Sequence, residues 1–155
     1  MATDPPRLTP VAILLHELEG GRSHVDLLIA RSEGPFADDE RVVPTWRVAA
    51  RPDRACDGTI LRLEPIDDHR ALYLRLTEPR RLDRGRGRVT PLRRGVAERV
   101  AERLAIRWED GEGSIWRLAT TDDLLTVERN PPERPPAGRS SAEGFGVESE
   151  GVRCT

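Results

Sequence analysis

The chain has no lysine and no glutamine; all 25 of its basic residues are arginine. Its cysteines number two, Cys56 and Cys154, far apart in sequence. That excludes both a disulfide framework and a CxxC metal knuckle, and two incidental thiols are expected. No window approaches the roughly 18 consecutive apolar residues of a membrane span, and the opening residues lack the basic, apolar, small-residue order of a signal peptide. These absences point to a cytoplasmic protein that does not engage membranes. What remains is 155 residues, 37% hydrophobic and 34% charged, which suffices for one core and leaves no room for a second.

The formal net charge is only −2, yet the basic residues are unevenly placed. Arg80, Arg81, Arg84, Arg86, Arg88, Arg93 and Arg94 have Asp83 as the one acidic residue in their stretch. Arginine offers a planar fork that grips phosphate bidentately, which a lysine point charge cannot do. Gly85 and Gly87 within that stretch would let backbone approach a phosphate closely. Taken alone, such a run is a solvated charged loop.

Residues 1–9 read as a disordered lead. Residues 130–155, rich in Pro, Gly, Ser and Glu with Phe145 as their single aromatic, read as a disordered tail that cannot offset its ordering entropy. Between them, residues 10–129 break into short runs of β type. Residues 11–18 (VAILLHEL) and 24–31 (HVDLLIAR) flank Gly20-Gly21 and predict a hairpin. Further strands are expected at 45–50, 59–63, 71–76, 86–92, 104–108, 114–119 and 124–127. Asp110-Gly111 and Gly113 predict a turn between the runs at Trp108 and Trp116. The segment VAERVAERLAIRW at 96–108 repeats at helical spacing and reads equally as helix or bent strand. Many short strands with little helix predict a small antiparallel β-barrel of about eight strands. Trp46, Trp108 and Trp116 are expected in its core rather than as base-stacking platforms.

There are three histidines, His16, His24 and His69. His24 and Asp26 are two apart on a predicted strand and so project from one face. His16 lies across the Gly20-Gly21 turn, where it can come opposite them, at the mouth of the barrel. Two imidazoles and a carboxylate suit a first-row divalent metal. Asp26 also interrupts an apolar run, where an unpaired carboxylate is costly. On spacing alone, solvated surface residues remain the plainer reading.

In order along the chain come His16, HVDLLI at 24–29, PTWRV at 44–48, DDHRALY at 67–73, GRGRV at 85–89 and RRG at 93–95. This series resembles the 3′-phosphoesterase domain of bacterial DNA ligase D, and its small stand-alone relatives in particular, over roughly residues 10–128. The resemblance implies a small barrel that uses Mn2+, with Zn2+ as the alternative, to remove a terminal ribonucleoside or a 3′-phosphate from DNA 3′ ends during repair. It implies metal ligation by His16, His24 and Asp26. It places His69 against the reacting phosphate, with Tyr73 four residues on and Asp67 two before. The position two after the HxD pair, an arginine in the ligase-linked enzymes, is Leu28. Arg62, Arg80, Arg81, Arg84, Arg86 and Arg88 are the candidates, by charge, for holding phosphate or tracking a nucleic-acid backbone. The expected partners are a DNA 3′ end or an RNA/DNA primer terminus, together with DNA-repair proteins. The rival readings are a catalytically impaired binding module of the same fold and a barrel scaffold without nucleic acid.

Overall fold

The computed structural model describes residues 6–132 apart from Thr120. Nine strands follow in order: β1 (Arg7–Glu17), β2 (Ser23–Ile29), β3 (Arg41–Val48), β4 (Ile60–Arg70), β5 (Arg80–Arg81), β6 (Arg88–Val100), β7 (Arg103–Trp108), β8 (Gly113–Ala119) and β9 (Leu124–Arg129). Eight of them close a barrel in the order β1-β2-β3-β4-β9-β8-β7-β6, with β6 pairing back onto β1; β5 is a short ribbon on the start of β6. Every pairing is antiparallel. The expected eight-stranded antiparallel barrel is therefore the fold. Strand β1 begins at Arg7 and takes in the last residues of the expected lead; most of the expected tail lies outside the described residues.

Period-2 alternation sorts the side chains. Val11 and Ile13 of β1 and Leu27 and Ile29 of β2 point inward to Leu104, Trp108, Trp116, Leu118, Leu125 and Val127. Their neighbours Ala12, Leu14, Leu28 and Ala30 point outward, yet they too are buried, packed under Ala71, Tyr73, Leu74 and Val89. Strands covered on both faces read as continuous apolar runs, which accounts for AILL and LLIA. The indole N–H groups of Trp108 and Trp116 donate to Ser114 Oγ at 2.9 Å and Asn130 Oδ1 at 3.0 Å. Both tryptophans belong to the interior, as expected.

Residues 71–76, expected as a strand, instead begin with a 3-10 turn, Ala71–Leu74. Its backbone N–H groups are taken by loop carbonyls, Ala71 by Glu40 and Leu72 by Asp38, and its apolar side chains roof the outer face of β1 and β2. The segment at 96–108 is strand, not helix. β6 and β7 meet at a tight turn where Ala101 takes a φ of +51°, and Val96 and Val100, which produced the helical spacing, are exposed.

The loop after β3 folds over one end of the barrel. Asn130 ties it down with Nδ2 donating to the carbonyls of Pro52 and Ala55, both at 2.7 Å. Asp53, fully buried in this loop, accepts from Arg51 at 2.7 Å and Arg93 at 3.3 Å. Arg93 also reaches Asp110 and Glu112 and lies over the Trp108 ring. Cys56, in the same loop, is disulfide-bonded and not the incidental thiol expected; Cys154 lies outside the described residues.

Candidate metal centre on the outer wall

The hairpin of β1 and β2 turns through Gly20 and Gly21, at φ of +92° and +87°, a conformation that glycine adopts without steric cost. The turn sets a register in which His16 faces His24 and Leu14 faces Asp26. Directly opposed residues of an antiparallel pair share a face, so His16, His24 and Asp26 come together. The two imidazoles meet edge to face with centroids 4.7 Å apart. One ligand atom from each of the three lies within 4.8 Å of the others, a set that could hold a metal ion. The parity of β1 and β2 puts the group on the outer wall of the barrel, near the rim, and not at its mouth as expected.

Hydrogen bonds show which lone pairs of the group remain free. A carbonyl can only accept, so His16 Nε2, 2.8 Å from the Arg86 carbonyl, carries the proton and leaves the Nδ1 lone pair available. His24 Nδ1 donates to Asp26 Oδ1 at 2.7 Å, which leaves His24 Nε2 and the second oxygen of Asp26. Asp26 is 2% exposed. Burial lowers the His24 pKa below its ordinary 6.5, outweighing the attraction of Asp26, and the charges of Arg47 and His16 push in the same direction. The neutral imidazole favoured in this way is the form that binds metals.

His69, at the end of β4, reaches the group from the side. Its Nδ1 donates to the carbonyl of Asp67 at 3.1 Å, and its Nε2 lies 3.7 Å from Asp26 Oδ2. Tyr73 stands edge to face with His69, centroids 5.6 Å apart, and its hydroxyl accepts from Arg70. The three histidines, Asp26 and Tyr73 thus occupy one patch. Asp67 takes part through its backbone, while the carboxylate of Asp68 pairs with Arg31 at 3.1 Å.

The arginines expected by charge divide. Arg86 contributes its carbonyl to His16, and the β5–β6 hairpin around it borders a shallow groove lined by Glu17, Glu19, Arg81, Arg84 and Arg88. Arg80 is exposed on β5. Arg62 is exposed on β4, where it pairs with Leu124 of β9, and it makes no hydrogen bond or ion pair to the group. One neighbour went unanticipated: Arg47 of β3 is the direct partner of Asp26. Its place on the outer face of a strand was readable in PTWRV, but its partner was not.

No helix is long and apolar enough to cross a membrane among the described residues. Set against protein-family models, curated proteins and solved structures, the chain matches none.

Proposed function

We propose that the protein is a metal-dependent 3′-phosphoesterase-like enzyme acting on DNA 3′ ends, removing a 3′-phosphate or a terminal ribonucleoside in repair. The observation that carries the reading is the meeting of His16, His24 and Asp26 within 4.8 Å, with His69 Nε2 3.7 Å from Asp26. Two imidazoles and a buried carboxylate fit Mn2+, and Zn2+ as the alternative, with positions left for substrate.

His16, His24 and Asp26 would hold the ion. A divalent ion there supplies Lewis-acid polarisation of a phosphate oxygen and a lowered pKa for the attacking water. His69, protonated on both ring nitrogens, delivers its Nε2 proton to the departing 3′ oxygen as the bond from phosphorus to that oxygen breaks. The Asp67 carbonyl, bonded to Nδ1, fixes the ring orientation that this transfer needs. Tyr73 braces the other edge of His69. The arginine hairpin beside His16 tracks the nucleic-acid backbone.

A second reading, a catalytically impaired nucleic-acid or repair-partner binding module of the same fold, is favoured by one observation. Leu28, where the ligase-linked enzymes carry an arginine, is fully buried. The test is release of phosphate from a 3′-phosphorylated primer, and trimming of a primer ending in a ribonucleotide, with Mn2+ present. His24→Ala should abolish both. DNA binding without turnover in the wild-type chain would favour the module, and no DNA affinity at low salt, where phosphate contacts are strongest, would sink both readings.

A further inference from the structure

The position two residues beyond Asp26 on β2 is closed to solvent. Leu28 is 0% exposed and packs with Ala71, Tyr73 and Leu74 in the roof over β1 and β2. No side chain there could offer a cation to a ligand at the metal centre. The next outward positions on the adjoining strand are Thr45, opposite Leu28, and Arg47, opposite Asp26. Thr45 is buried and donates its hydroxyl to the Val43 carbonyl at 3.0 Å. Arg47 is exposed.

We infer that Arg47 is the phosphate-gripping residue of this site, carried on β3 rather than on β2. The inference rests on the metal-centre reading above. Register places Arg47 directly across from Asp26, and the inward burial of Val48 beside it fixes Arg47 on the same outer face as the ligands. Its guanidinium makes no hydrogen bond or ion pair among the described residues, although Glu64 is its partner on β4. Three other arginines of this wall are committed: Arg31 to Asp68, Arg75 to Asp38 and Arg70 to the Tyr73 hydroxyl. A cation poised beside a ligand set, with its fork uncommitted, suits an oxyanion whose other oxygen meets the ion. A phosphate monoester offers that pattern, with two oxygens for the fork and one for the metal.

The test uses the full-length chain loaded with Mn2+ and titrated calorimetrically with inorganic phosphate and with a 3′-phosphorylated oligonucleotide. Arg47→Ala should weaken both by about tenfold or more, the loss of one charge-assisted bidentate contact, while Mn2+ uptake stays at the wild-type level. Arg47→Lys should fall between the two, because a point charge replaces a fork. Arg117→Ala, at an exposed position of β8, should leave inorganic phosphate binding unchanged. Equal phosphate affinity in wild type and Arg47→Ala, with Mn2+ bound in both, would overturn the assignment and leave the metal centre standing. Failure of the wild-type chain to take up Mn2+ would overturn the metal-centre reading, and this inference with it.

Discussion

Nε2 of His69 lies 3.7 Å from Oδ2 of Asp26, although the two residues belong to strands that β3 separates. The barrel wall therefore brings a third imidazole to the edge of a pair of imidazoles and a carboxylate, and does so without making it part of the closest set. A ring in that place serves proton transfer better than ligation. His69→Gln is expected to lower kcat by about 100-fold to 10,000-fold, the usual range for a lost acid–base group, with Mn2+ uptake unchanged. Loss of metal together with activity would reassign His69 as a ligand.

The His24 pKa bears on stability in a definite direction. Burial holds it below the ordinary 6.5, so on acidification the unfolded chain takes up this proton before the native chain does. Stability contributed by the neutral ring is present above pH 6.5 and drains away as pH falls below it, because the unfolded state then binds more protons. Denaturant midpoints in EDTA at pH 7.5 and pH 5 are the measurement. Wild type should lose more stability over that interval than His24→Gln, and equal losses would contradict the direction.

Gly87 and Gly20 provide a matched comparison. Both have positive φ, at +89° and +92°, but a Cβ on Gly87 would stand 1.9 Å from the Glu17 carbonyl oxygen, whereas one on Gly20 meets nothing within 4 Å. Gly20→Ala should cost about 1 kcal/mol of conformational strain. Gly87→Ala should cost about 3 kcal/mol or more, since backbone must move, and should also weaken Mn2+ binding by displacing the Arg86 carbonyl that orients His16. Thermal melts and metal titration of both variants read the difference.

At the far side of the core, Arg93 joins the loop after β3 to β6 through Asp53. Arg93→Met should destabilise the fold by about 2–4 kcal/mol, because it leaves a buried carboxylate with Arg51 as its remaining partner among these contacts. Adding Asp53→Asn should recover part of that loss in a double-mutant cycle. Additive losses would show that Arg93 and Asp53 are not energetically coupled.

How far the sequence revealed this arrangement varied with the range of the interaction involved. The hairpin holding His16, His24 and Asp26 was readable because a two-residue period and one Gly-Gly turn determine it locally. Which face of that hairpin looks inward was not readable, since AILL and LLIA are apolar on both sides and alternation carries no sign there. The group was consequently expected at the mouth of the barrel when it sits on the outer wall. Residues 71–76 looked like another strand because a short apolar run serves equally as a sheet element or as a lid. Arg47 escaped notice because its pairing with Asp26 depends on how a long connection between β2 and β3 closes, which composition does not disclose. The repeat in VAERVAERL mimicked a helix because exposed Val96 and Val100 happen to be four apart.

The opposed parity of β1 makes the imidazole pair the part of the molecule most sensitive to strand alignment. Sliding β1 by a single residue against its neighbours would exchange Ile13 with Leu14, one oily side chain for another, and would turn His16 away from His24 and Asp26 at the same stroke. A misaligned chain could thus keep much of its greasy filling and still forfeit its cation-gathering rim.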